Sequence, residues 1–237
     1  MANHKNLQRQ RITVLSIVIF GGLIYLFAWS PVFSVRAIEV SGIPTGISQN
    51  QVIAKSGVAM GEKLARVEPR AITRTFADYS WIKDLDISRN WLSGKVILTF
   101  TSLTPVGVFE GKAIAADGTL FTYPGKLPAN LPVVSAANTE IGLSAISLFK
   151  QLPSDLQGSM TSLQARNDSA ISTIHNKSAF KTGNVVGGAS SGELRIIWGS
   201  KEDMPLKIKV LQALLALPEN KDAIKIDLSA PHAPIVK

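Results

Sequence analysis

Val35-Arg36-Ala37-Ile38-Glu39-Val40-Ser41-Gly42 is the stretch from which the fold can be read. Polar and apolar residues alternate up to Val40, the period of a strand with one face buried, and Ser41-Gly42 ends it. Downstream, Ser48 is followed three residues later by Gln51, a capping box that predicts a short helix through Lys55, stopped by Gly57. Pro69 sits in the first turn of a second predicted helix, which runs to about Asp78. Leu85 and Ile87 alternate with Asp84, Asp86 and Ser88 in a second strand. Val96, Leu98 and Phe100 alternate with Ile97, Thr99 and Thr101 in a third, and Asn90-Trp91-Leu92-Ser93-Gly94 turns between the two. Residues 34–103 therefore predict a βααββ unit whose two helices cover one face of a small sheet.

Upstream, Ile12 to Trp29 is a run of 18 residues without a charge. As a helix it covers about 27 Å, enough for a bilayer core. Tyr25 and Trp29 lie near its far end, where amphipathic rings prefer the interface. Lys5, Arg9 and Arg11 precede the run and only Arg36 follows closely. The positive-inside rule then places residues 1–11 in the cytoplasm and residues 30–237 outside the plasma membrane. A cleaved signal peptide is the competing reading. Its apolar core is ordinarily about 7–15 residues, shorter than this run. The one small-x-small site, Ala28-Trp29-Ser30, would put Pro31 straight after the cut.

Beyond residue 104 short strands and turns dominate. Asp117-Gly118 predicts a hairpin between Ala113–Ala116 and Thr119–Phe121. A helix is expected from Glu140 to Gln151, ending before Pro153, with strands resuming after Ser159. Leu194, Ile196 and Trp198 share one face of a strand. A helix from about Pro205 to Leu217, with Asp203 as its cap, carries Met204, Ile208, Leu211 and Leu215 on one side. Ile224, Ile226 and Leu228 alternate with Lys225 and Asp227 in a last strand before Pro231.

Composition excludes several function classes. The chain holds no cysteine, so disulfides, zinc thiolates, iron–sulfur clusters and thiol catalysis fall away. The net charge is +8, yet the basic residues form no stripe and no aromatic platform lies among them, which argues against nucleic acid. His4, His175 and His232 show no metal-ligand spacing, and no cofactor motif is present. Asp84 and Asp86 share a strand face and read as solvated.

Three motifs look like catalysis. Gly188-Ala189-Ser190-Ser191-Gly192 fits G-x-S-x-G, but a strand rather than a helix follows, so no nucleophile elbow is expected. Ser147-Leu148-Phe149-Lys150 fits S-x-x-K and Lys181-Thr182-Gly183 fits K-T-G, as in penicillin-binding enzymes. The middle element of that set is missing. Ser147 also falls in the C-terminal half of its helix, where the dipole disfavours an oxyanion.

The order of parts resembles the cell-division protein FtsQ/DivIB family, most closely its actinobacterial form. The resemblance is carried by Phe33–Gly42, by Gln51-Val52 through Gly57 and Gly61–Leu64, and by Ser80-Trp81-Ile82-Lys83 through Arg89-Asn90-Trp91. It continues at Thr104-Pro105-Val106, Asp117–Phe121, Leu131–Val134, Trp198-Gly199, Lys207, Leu211 and Ile226–Pro231. The chain departs where the family usually has proline (Leu92) and Glu-Arg (Ser102-Leu103). The resemblance implies an α+β protein in four parts. These are a cytoplasmic tail over 1–11, a transmembrane helix over 12–29, a POTRA domain over 30–103, and a mostly antiparallel β domain with flanking helices over 104–237. It implies a non-enzymatic divisome scaffold that links early and late division proteins at the septum and helps license septal peptidoglycan synthesis. Its implied partners are FtsB/FtsL-type bitopic proteins and other divisome subunits, beside the lipid bilayer. The alternative is a membrane-anchored cell-wall transpeptidase or hydrolase.

The candidate site is the last strand: Ile224, Lys225, Ile226, Asp227, Leu228, Ser229 and Ala230. A final strand often lies at a sheet edge, where unpaired N–H and C=O groups can template a partner strand. The resemblance points to the same stretch as the FtsB-type contact. The competing expectation is an internal strand paired on both sides.

Overall fold

The computed structural model describes residues 13–22, 24–25, 31–177 and 192–237. The chain divides into two compact units, Met1–Leu103 and Thr104–Lys237. In the first, residues 13–22 and 24–25 are helical, and the large apolar side chains described there are exposed. Among the described residues no helix is long and apolar enough to cross a membrane. The expected span over 12–29 lies partly outside the described residues.

The rest of that unit is a three-stranded sheet in the order β1-β3-β2, with β1 at Ala37–Ser41, β2 at Ile82–Asn90 and β3 at Lys95–Ser102. Helices α1 (Gln49–Ser56) and α2 (Pro69–Thr75) lie between β1 and β2 in sequence. β3 runs parallel to β1 and antiparallel to β2, so the hairpin strand inserts beside β1 after the two-helix crossover that a parallel pair requires. Val96, Leu98 and Phe100 are buried together with Val52, Leu64, Ile72 and Trp81. Trp81 and Phe76 pack on Phe100 with ring centroids 5.8 and 5.3 Å away. Gly57 ends α1 in the left-handed conformation, as expected.

Two details differ from expectation. Ser48 makes no side-chain cap bond; its carbonyl instead accepts from the Gln51 and Val52 amides and closes the first turn. Helix α2 stops at Thr75, where the Phe76 amide turns back to the Thr73 carbonyl and swings its ring onto Phe100. Gly42 is fixed by contact: its φ is +76°, and a Cβ there would lie 1.8 Å from the Phe100 carbonyl oxygen.

The second unit is built on a nine-stranded sheet in the order β12-β11-β10-β9-β8-β7-β4-β5-β6. Its strands are β4 (Pro105–Phe109), β5 (Lys112–Ala115), β6 (Leu120–Phe121), β7 (Val133–Ala136), β8 (Met160–Ala165), β9 (Ile171–Asn176), β10 (Glu193–Gly199), β11 (Lys225–Asp227) and β12 (Ile235–Val236). The Asp117-Gly118 hairpin joins β5 and β6 in register Ala113↔Phe121. Two parallel pairs, β7/β8 and β10/β11, are bridged by helices: α3 (Thr139–Phe149) with the short α4 (Ser154–Ser159) for the first, and α5 (Met204–Ala216) for the second. Those helices bury Ala145, Ile146, Leu148, Phe149, Leu156, Met204 and Leu211 in one core with Leu163, Ile171, Leu194, Ile196, Trp198, Ile226 and Leu228.

Helix α5 corrects two expectations. Asp203 stands at the cap position but in the left-handed region, φ 53°, and its side chain caps nothing. Met204 and Leu211 are buried, whereas Ile208 and Leu215 are only partly so. Lys207 takes the buried place between them and donates from Nζ to the Ser200 carbonyl at 2.8 Å. Its stem packs as an apolar residue would while its head finds an acceptor. Burial pushes its ammonium below the ordinary lysine value, against the pull of Asp203 and Glu202.

Candidate functional site

The seven residues expected to form a free edge do not form one. Only Lys225–Asp227 is strand, and it is paired on both sides: parallel to β10 through Ile196↔Ile226, and antiparallel to β12 through Ile226↔Val236. The Leu228 amide extends the inner ladder to the Ile197 carbonyl at 2.7 Å. Ser229 and Ala230 lie in the turn that follows, where Asp227 Oδ1 accepts from the Ser229 amide at 3.0 Å and from its hydroxyl at 2.6 Å. Ile224 sits in a bend ahead of the strand and is 67% exposed, so the apolar alternation begins only at Ile226. The competing expectation, a strand paired on both sides, is what the structure holds.

The outermost strand on this side is β12. The Lys237 amide donates to the Lys225 carbonyl at 2.9 Å, and the Ile224 and Lys225 amides donate to the Lys237 carbonyl. Residues 235 and 237 thus face β11, and alternation along an antiparallel ladder turns the Val236 N–H and C=O outward. Pro234 sits just before the strand and limits how far the edge can run. Arg195 lies opposite Lys225 in register, and Lys225 is bonded to Lys237, so three cationic residues cross this end of the sheet. β12 is two residues long with no apolar period of its own, which is why pattern reading misses it.

Ser147 and Lys150 are exposed on the last turns of α3. The Lys181-Thr182-Gly183 triplet and Ser190 lie outside the described residues. A groove lined by Pro132, Val133, Phe149, Gln157 and Met160 holds no titratable side chain. Among the described residues no cluster of His, Asp and Glu could hold a metal ion.

One serine–histidine contact escaped the sequence reading. Ser159 Oγ lies 2.9 Å from His175 Nδ1, and His175 Nε2 lies 2.7 Å from Thr173 Oγ1. Trp198 Nε1 donates to Thr173 Oγ1 at 2.8 Å and Ser159 Oγ donates to the Leu156 carbonyl at 3.0 Å. One neutral tautomer fits these contacts: Trp198 donates to Thr173, Thr173 to His175 Nε2, His175 Nδ1–H to Ser159, and Ser159 to Leu156. All four side chains are buried, leaving no room for a substrate. A usable signal exists in the sequence: His175 and Thr173 alternate with Ile171 on the buried face of β9.

Burial lowers the His175 pKa from 6.5 to about 4, a backbone bond to Leu156 opposing it only in part. Because the unfolded imidazole takes a proton first, this contribution to stability is complete above pH 6.5 and is lost as pH falls toward 4. The loss at the lower limit is about 3 kcal/mol. Urea unfolding at pH 7 and pH 4.5 should show it, and His175→Gln should flatten that slope. An unchanged slope in the variant would refute the assignment.

The comparisons with known proteins follow the same division. Residues 33–99 match the family model described as "POTRA domain, FtsQ-type". The chain is 26% identical to the cell division protein FtsQ of Streptomyces bingchenggensis over 94% of its own length and 83% of the relative's. It is 28% identical to the FtsQ of Streptomyces venezuelae over 92% and 79% of the two chains. For the FtsQ of Mycolicibacterium smegmatis the identity is 24%, over 98% and 68%. Residues 33–99 thus form a βααββ unit of the FtsQ POTRA type, and the similarity to actinobacterial cell division proteins FtsQ runs on through the large sheet.

Proposed function

We propose that this chain is a non-enzymatic cell-division scaffold. It adds an extended segment of an FtsB/FtsL-type division protein to its C-terminal sheet edge, links early and late divisome subunits at the septum, and so helps license septal peptidoglycan synthesis. The observation that carries the reading is the short outer strand β12, whose Val236 N–H and C=O face outward beside a cationic row. Main-chain bonds there give affinity, and alternate side chains give specificity. The sequence-derived site Ile224–Ala230 supports this edge from within. The transpeptidase or hydrolase alternative has no support in the described groove or in the setting of Ser147. Affinity purification of the tagged full chain from dividing cells tests the reading. Recovery of the small bitopic division proteins is expected, and their absence would contradict it.

The scaffold works from the plasma membrane, anchored by Ile12–Trp29 with the N-terminus in the cytoplasm. The helical residues between 13 and 25 and their exposed apolar side chains support this, as does the charge asymmetry around the run. Protease added outside intact spheroplasts should digest the exported units and leave a small membrane-bound N-terminal fragment. A mature N-terminus near Pro31 would contradict a retained anchor.

A further inference from the structure

At the end of the POTRA unit where the chain arrives from the anchor, three large apolar side chains stand in solvent: Leu92 is 92% exposed, Met60 63% and Val32 49%. Backbone bonds hold them to one end. The Leu64 amide donates to the Phe33 carbonyl and the Gly61 amide to the Val35 carbonyl, which places the Met60 loop beside residues 32–35. The Arg36 amide donates to the Gly94 carbonyl, which places the β2–β3 turn there too. A Cβ on Gly94 would lie 2.7 Å from the Ser34 carbonyl oxygen, so this approach requires glycine.

The turn is rigid rather than frayed. Asn90 Oδ1 accepts from the Leu92 and Ser93 amides at 3.1 Å each. Trp91 packs edge-on against Phe33 with ring centroids 6.1 Å apart, beneath the Arg89 guanidinium at 5.4 Å. Arg89 is itself held by the Leu64 and Val67 carbonyls. Leu92 is therefore presented outward by a built turn. Arg36 and Arg66 are exposed at the same end. Of its acidic residues, Glu39 pairs with Lys95 at 2.6 Å and Glu62 accepts from the Ala59 amide, while Glu68 is exposed.

We propose that this tip rests in the headgroup layer of the outer face of the membrane, with Leu92, Met60 and Val32 dipping toward the acyl boundary, Trp91 at the interface and the two arginines on lipid phosphates. The occupant is fixed by reach. Trp29, the last residue of the apolar run, is four residues from Phe33, and four residues span at most about 14 Å. The headgroup layer on each side of the core is about 5–8 Å thick, so the near end of the unit is tethered at that layer. Tryptophan and arginine beside small apolar wedges suit such an interface.

The proposal rests on the anchor reading, and the test separates the two. The chain has no cysteine, so single cysteines can carry an environment-sensitive fluorophore in the full chain. Leu92→Cys reports the tip and Tyr25→Cys the anchor. Lys83→Cys reports the opposite end of β2, about 23 Å along the strand. Each variant is reconstituted in phosphatidylglycerol–cardiolipin vesicles containing a lipid with a nitroxide near its headgroup. The Leu92 site should be quenched about twofold more than the Lys83 site, and Met60→Asp should reduce the difference. Equal, weak quenching at Leu92 and Lys83 with strong quenching at Tyr25 would overturn the tip while leaving the anchor standing. Absence of quenching at all three would overturn both. Shielding of Leu92 that needs an added protein rather than lipid would also overturn the proposal.

Discussion

Trp198→Ala should destabilise the second unit by about 3–5 kcal/mol, the range for removing a large buried aromatic side chain. Trp198 is fully buried on β10 among residues contributed by β8, β9 and helix α5. Its indole also donates to Thr173 Oγ1, the head of the buried chain that runs through His175 and Ser159 to the Leu156 carbonyl. Truncation therefore opens a cavity and leaves a buried hydroxyl short of a donor, an added cost of about 1–3 kcal/mol where water cannot replace it. Native domains are stable by only about 5–15 kcal/mol, so a large part of the unit's stability goes. Hydrogen exchange should show lost protection of the β8–β10 amides while β1–β3 keep theirs. Trp198→Phe should fall between the two proteins, because it keeps most of the packing and loses the donor. Unchanged exchange in Trp198→Ala would contradict the placement of this residue at the centre of the core.

Much of the fold is legible in the sequence because it rests on local periods. β1 and β3 are read from strict alternation, α5 from its apolar stripe, and the β5–β6 hairpin from Asp117-Gly118. The parts that are not legible depend on partners distant in sequence. Lys207 looks like a surface lysine until the Ser200 carbonyl is brought beneath it. The His175 chain needs β8, β9 and β10 aligned before Ser159, Thr173 and Trp198 meet. β12 has two residues and no period, so Lys225–Asp227 looks terminal when read along the chain and proves internal in the sheet. The expectation of a free edge at Ile224–Ala230 is thus corrected, and the outward-facing backbone groups belong one strand further out.

That shift changes which substitutions report on partner docking. Proline at Ser229 or Ala230 would alter a turn that follows β11 and would remove no outward donor from the sheet edge. Val236 is different. Its N–H faces away from β11, so a proline there takes a donor from the open edge and spares the inner ladder, the position where an edge strand tolerates proline. Losing one main-chain bond costs about 1 kcal/mol, and the proline ring adds a steric block to an incoming strand, so affinity should fall at least about tenfold.

The most direct measurement is a pull-down of the FtsB-type division protein by purified full chain, wild type against Val236→Pro, with circular dichroism confirming that both are folded. Strand addition at β12 predicts that the folded variant loses the partner. Undiminished binding by a folded Val236→Pro chain would contradict the edge as the docking site.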